Sequence, residues 1–163
     1  MSWVLGALVI WTLGGVSAAK DPGKEPVGQI QVDLIFGTDK DGSVLGSRGK
    51  RLGGDEEKRL KGSEHLKFGQ YRFLGSAKRE VLRGYENWAA PLGASEEILV
   101  SFEPKGRVGQ RSVRMDLEFW QSRQKVLKTD PVMKVGKRLY ILGPKWRDGR
   151  LIIAVELLSL KPQ

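Results

Sequence analysis

The chain has no cysteine, one histidine and one asparagine among its 163 residues. Without thiols there is no disulfide, no thiol nucleophile, no zinc–thiolate site, no iron–sulfur cluster and no lipoprotein anchor. The asparagine, Asn87, is followed by Trp88-Ala89, so it is not a glycosylation acceptor. After residue 19 no apolar run reaches the roughly 20 residues that a membrane-spanning helix needs.

What is present begins with "MSWVLGALVIWTLGGVSAA", Met1 to Ala19. It has no charged side chain, an apolar core from Trp3 to Val16, and small residues at its end. That is the layout of a secretory signal peptide, and Val16-Ser17-Ala18 fits a small-x-small cleavage pattern. It departs from the pattern in one respect, because no Lys or Arg precedes the apolar core. The alternative is an uncleaved membrane anchor, and the Gly14-Gly15 break favours cleavage. The expected organisation is a signal peptide at 1–19, a linker at 20–27 ("KDPGKEPV") and one domain at 28–163. An exported chain without disulfides fits a bacterial periplasmic or secreted setting better than a eukaryotic extracellular one.

The net charge is +9. It is unevenly spread: residues 48–83 hold 11 Lys/Arg against 5 Asp/Glu, and residues 123–150 hold 9 against 2. The segment between them is slightly acidic. A basic exported protein meets anionic partners such as acidic proteins, lipids, polymers and glycans. Nucleic acid is the less natural partner outside the cytoplasm. The plain alternative is a solvated, charged strand surface.

The chain reads as strands. "GQIQVDLIFGT" alternates, with Ile30, Val32, Leu34 and Phe36 on one face and Gln29, Gln31 and Asp33 on the other. Residues 39–54, rich in glycine and charge, read as a mobile loop. Asp55 to about Lys61 reads as a short helix, acidic at its start and basic at its end as the helix dipole prefers, with Gly62 as its stop. In "GQYRFLGSAKREVL", Tyr71, Phe73 and Val81 are candidate inward residues and Gly75 marks a bulge. "GYENWAAPLGA" and "KGRVGQ" read as connections. Two more alternating runs bring Ile98, Val100 and Phe102, then Val113, Met115, Leu117 and Phe119, to one face. "SRQ" is a tight turn, and Gly136-Lys137 a kink. "RLIIAVELLSL" is apolar on both faces, which marks a central strand. Seven or eight strands and one short helix predict an all-β antiparallel sandwich.

Tests for chemistry give little. Ser63 and His65 are close in sequence, but no G-x-S-x-G motif accompanies them. Asp116 and Glu118 share a strand face, an arrangement that suits paired glycosidase carboxylates and equally a solvated strand face. Asp39-Lys40-Asp41-Gly42 is a fragment of a calcium loop with a lysine between its carboxylates, and reads as a turn. Gly46-x-x-Gly49-Lys50 is too short for a phosphate loop, and Arg51 stands where Ser or Thr is needed. No catalytic residue, metal ligand or cofactor is assigned. The candidate contacts are cationic and aromatic: Arg48, Lys50 and Arg51 in the basic loop, Trp88 in a connection, and Lys145, Trp146 and Arg147 in the last turn. Aromatics beside Lys and Arg can stack on sugars and hold anions, or can cover the end of a sandwich.

"HLKFGQYRFLG" (residues 65–75) and "KRLYILGPKWRDGRLIIAVEL" near the end resemble a group of uncharacterised exported bacterial β-sandwich proteins. These share a signal peptide, a basic loop and helix, an aromatic strand of the form F-x-x-Y/F-x-x-L-G, and a closing hairpin. Here Phe68 through Gly75 and Gly143-Pro144 through Gly149 fill that pattern. The resemblance implies no activity, cofactor or catalytic residue. It implies that the hairpin is framework, with Gly143-Pro144 ending one strand and Asp148-Gly149 turning the chain. The expectation is a non-enzymatic exported binding or accessory protein of the bacterial envelope. A module for glycan or anionic polymer is the alternative, and an exported hydrolase the least favoured class.

Overall fold

Strand β10 (Gly149–Leu160) organises the molecule, because a strand apolar on both faces must be covered on both. In the computed structural model, which describes residues 21–41, 49–83 and 97–162 and the backbone of 88–91, β10 lies between β1 (Pro26–Thr38) and β9 (Arg138–Trp146). With β3 (Gln70–Leu82) and the two-residue β2 (Lys50–Arg51) they form one antiparallel sheet in the order β2-β3-β1-β10-β9. The second sheet is β4 (Trp88–Pro91), β5 (Ile98–Arg107), β6 (Ser112–Gln121) and β7 (Gln124–Thr129), also antiparallel, with β8 (Val132–Lys134) pairing the start of β6. The fold is the expected all-β sandwich.

Alternation along β10 feeds two cores. Leu151, Ile153, Val155 and Leu157 face the second sheet, where they meet Val100, Phe102, Met115 and Phe119. Ile152 and Ala154 face the other way, onto Ile35, Leu60, Leu66 and Tyr71. That outer face is covered by helix α1 (Gly54–Lys61) and the 3-10 turn Glu64–Leu66. The helix ends where expected, at Lys61, and the Gly62 N–H closes it onto carbonyls of the last turn. The Tyr71 hydroxyl ties the cover down: it donates to the Leu66 carbonyl and accepts from the Phe68 N–H, both at 2.8 Å.

Several details differ from the sequence reading. There are ten described strands, since β2, β4 and β8 span two to four residues, too few to show a period. The first strand starts at Pro26, inside the expected linker. Of the expected loop, 42–48 lie outside the described residues, while Lys50-Arg51 pair with β3 and the helix begins at Gly54. Tyr71 and Phe73 belong to the outer core beneath the helix and only Val81 to the inter-sheet core. The register slip where β1 passes Leu34 and Ile35 leaves Leu74 as the extra residue on β3, beside Gly75, as the bulge reading required. "WAAP" is strand β4 rather than a connection, and β5 runs on to Arg107.

The closing hairpin also departs from expectation. Gly143-Pro144 does not end β9. A slip between Arg150 and Ile152 makes the pair a bulge on the outermost strand, where a missing N–H is tolerated. The reversal is Arg147-Asp148, one residue earlier than expected, with Arg147 at φ 51° and Gly149 already paired to Trp146. Gly149 is required by space. A Cβ there would fall inside contact distance of the Gly37 carbonyl oxygen and 2.6 Å from Phe36 Cζ.

Two outcomes are expected. Gly149→Ala destabilises the fold by about 2 kcal/mol in urea denaturation, as overpacking against backbone does; an unchanged midpoint would contradict the close approach. The β6–β7 turn places Ser122 at φ 47° and Arg123 at φ 67°, a left-handed pair that Asn-Gly adopts with less strain. Ser122→Asn with Arg123→Gly therefore raises stability by about 1 kcal/mol, and a lowered melting temperature would contradict it.

Candidate binding surfaces

The residues singled out by sequence do not gather into one site. Arg48 lies outside the described residues. Lys50 and Arg51 form β2, one edge of the first sheet, while Lys145, Trp146 and Arg147 lie at the end of β9, the opposite edge. Four strand spacings separate them, roughly 19 Å at about 4.8 Å each. Trp88 starts β4 on the other sheet, opposite Phe102. Trp146 is already engaged: its ring meets Phe36 edge-on at 5.5 Å, and the Arg147 guanidinium sits 4.6 Å from the ring centroid. It closes that end of the sandwich, which leaves less of its face for a sugar.

At the β2 edge the register adds a residue that the sequence reading missed. Arg51 stands directly opposite Arg72 of β3. Both line a niche of about 270 Å³ with Glu57, Gly69, Gln70 and Tyr71. Glu57 is committed to Lys61 at 2.6 Å, and that hydrogen bond holds its carboxyl below the usual range. Arg72 was legible only as an outward position of an alternating strand, because pairing with a two-residue strand has no sequence signal.

The carboxylates considered for catalysis are in ion pairs. On the outside of the second sheet Lys125 reaches Glu118 at 2.6 Å. Lys128 lies between Glu118 and Asp116, at 3.6 and 3.5 Å, and Lys105 bridges Asp116 and Glu103. The Lys125 hydrogen bond lowers the Glu118 pKa, which opposes use as a general acid. His65 is exposed on the 3-10 turn. Asp39, from the suspected calcium fragment, accepts the Gly69 N–H at 2.8 Å, while Lys40 pairs with Asp148.

A buried polar cluster lies where sequence alternation placed a solvated face. Asp33 is 5% exposed. Arg138 reaches it diagonally across the small Ala154, helped by the register that sets Asp33, Ala154 and Tyr140 side by side. The Ser76 hydroxyl and the Gln31 amide also donate to Asp33. Arg138 contacts Glu56 of α1 at 3.1 Å, and the Tyr140 hydroxyl donates to the same carboxylate at 2.9 Å. Burial, then this hydrogen bond, raises the Tyr140 pKa. The cluster fastens the helix to the sheet.

An opening lies at the other end of the sandwich from the hairpin. It is a cleft of about 600 Å³ between the start of β1, the ends of β3 and β10, and the β5–β6 connection. Val27, Val81, Leu82, Pro104 and Val113 make it apolar. Arg83, Arg107, Lys161 and Glu25 supply charge. Glu25 pairs with Arg83 at 2.9 Å. Arg107 Nη2 donates to the Lys161 carbonyl at 2.7 Å, while its Nη1 is buried with no hydrogen-bond partner among the described residues. A slip at Lys105, between Pro104 and the positive-φ Gly106, interrupts β5 beside the cleft, and pairing resumes with Arg107 against Val113. The sequence reading missed Arg107 because "KGRVGQ" looked like a turn throughout.

No protein-family model, curated protein or solved structure matches the chain. Among the described residues no helix is long and apolar enough to cross a membrane.

The ion pairs generate two expectations. Glu118, with its pKa lowered in the folded state, contributes stability above its unfolded pKa, and this is lost as pH falls through the folded value. Lys125→Met therefore moves the Glu118 carboxyl titration upward in carbon-detected NMR; an unmoved titration would refute the pairing. Arg138→Met leaves Asp33 buried without its counter-charge and costs about 3 kcal/mol. Adding Asp33→Asn to that variant costs less than the two single losses summed, as a double-mutant cycle reads.

Proposed function

We propose that the chain is a non-enzymatic, exported binding or accessory protein of the bacterial cell envelope that contacts an anionic partner. The observation that carries this reading is the register of β2 on β3. Two arginines, Arg51 and Arg72, face each other directly across the strands, where like charges destabilise the sheet. The nearby carboxylate, Glu57, is shared: its hydrogen bond is to Lys61, and it feels Arg51 and Arg72 as well, so one carboxylate stands against three cations. An acidic surface or polymer laid over this edge relieves the repulsion. The ion pairs elsewhere support the reading, since Arg138 alone faces Asp33, Glu56 and Glu156, while on the second sheet Lys105, Lys125 and Lys128 are balanced by Glu103, Asp116 and Glu118. The net charge of +9 is therefore carried by the rest of the chain.

An envelope protein is the first partner class, and an anionic polymer or glycan the second. The second rests on charge more than on aromatic stacking, given how Trp146 is used. The chain is immobilised and challenged with solubilised bacterial envelope at low and high salt, with proteins read by mass spectrometry and glycans by sugar analysis. Wild type is expected to retain a discrete component, and Arg51→Gln with Arg72→Gln to retain about tenfold less at low salt. The same double variant melts no lower than wild type, because a repulsive pair has gone. Equal retention by variant and wild type would sink the assignment to this edge. Turnover of an envelope substrate that is lost in Glu118→Gln would sink the non-enzymatic reading.

A further inference from the structure

We propose that the cleft at the open end of the sandwich binds a single-chain amphiphile that ends in a carboxylate, of the fatty-acid type. The inference rests on the reading of the chain as a binder, but not on the β2–β3 edge, and the two fail separately. The cleft volume of about 600 Å³ lies within the range of small-molecule sites. Its walls are aliphatic and proline side chains, suited to a hydrocarbon chain. Its polar feature is specific. The buried Nη1 of Arg107 has no acceptor among the described residues, and a desolvated guanidinium N–H left unsatisfied is costly. The cleft thus supplies an apolar path, with a guanidinium in its wall that has an unpartnered nitrogen.

The head group follows from the charge balance. Arg83 is offset by Glu25, and Lys161 is exposed, so the desolvated charge at the cleft is one. Nη2 of Arg107 is held by the Lys161 carbonyl and Nη1 is covered as the side chain stands, so a ligand is met through Nη1 once the guanidinium turns toward the cleft that it lines. A carboxylate is the compact monoanion that accepts a charge-assisted hydrogen bond there. The Nη2 bond ties the second sheet to the chain just beyond β10 and keeps the guanidinium at the cleft.

The test titrates the purified full-length chain with decanoate, decan-1-ol, acetate and decyl phosphate, followed by amide chemical shifts. Decanoate is expected to shift Val27, Gly106 and Val113 saturably, with decanol and acetate each at least about tenfold weaker. Arg107→Gln is expected to bring decanoate down to the level of decanol. Val27→Trp, which fills the cleft, is expected to abolish binding while the melting curve stays that of wild type. If Arg107→Gln fails to fold, the decanol comparison and Val27→Trp still decide. Equal affinity for decanol and decanoate overturns the proposal, as do shifts confined to other parts of the molecule. Binding of decyl phosphate without decanoate overturns the carboxylate assignment. Cleft shifts that depend on protein concentration alone show a second copy in the cleft and overturn it as well.

Discussion

The pairing of β1 with β10 is the constraint on which the other elements depend. The two strands run antiparallel from Gly28 against Leu160 to Gly37 against Arg150, and both bury residues on each face. Each fully buried Leu, Ile or Phe contributes about 1.5–3 kcal/mol only if the opposite wall excludes water. The second sheet is that wall for Leu151, Ile153, Val155 and Leu157, and the helix with its 3-10 turn is the wall for Ile152 and Ile35. Neither cover is independent of the pair. Helix α1 has eight residues, short of what holds alone in water, and it stays because Leu60 enters the outer core and Glu56 meets Arg138.

Burying the outer face has a polar consequence. Asp33 sits mid-strand on the side that the helix covers, so its charge must be matched internally. Arg138 does this from β9, two strands away, and the strand between them carries Ala154 at the crossing point. A larger residue there would stand between guanidinium and carboxylate. The cluster therefore specifies the order of three strands as well as the seat of the helix, because a one-residue slip of β9 would move Arg138 to the other face.

Strand identity was legible in the sequence wherever alternation ran for five or more residues, as in "QIQVDLIF" and "SVRMDLEFW". The double burial of the last strand was legible too, and it correctly placed β10 in the middle. Burial of Asp33 was not. A polar residue at an outward position looks alike whether water or a helix covers it, and only the long-range contact with Arg138 tells them apart. The same limit applied to binding residues. Lys50 and Arg51 stood out as a charge run, but Arg72 joins them only through register, and Arg107 was hidden because a bulge at Pro104–Gly106 imitates the composition of a turn.

The two ends of the sandwich are built differently, and this bears on where a ligand can enter. At the hairpin end, Trp146 lies edge-on to Phe36, Arg147 covers its ring, and Gly149 lets β10 close onto Gly37. The Thr38 hydroxyl donates to the Asp148 carbonyl at 2.8 Å and locks the reversal. At the other end the strands stay paired, yet a cleft remains between the sheets. Pro104 cannot donate to a ladder, a one-residue slip follows it, and the cleft beside it is bordered by one guanidinium rather than filled by a ring. A side chain the size of Trp146 would close that end as the hairpin end is closed. In its place stands a long cation with one donor satisfied and one not, which stabilises the gap at its rim while leaving its interior open to an apolar chain.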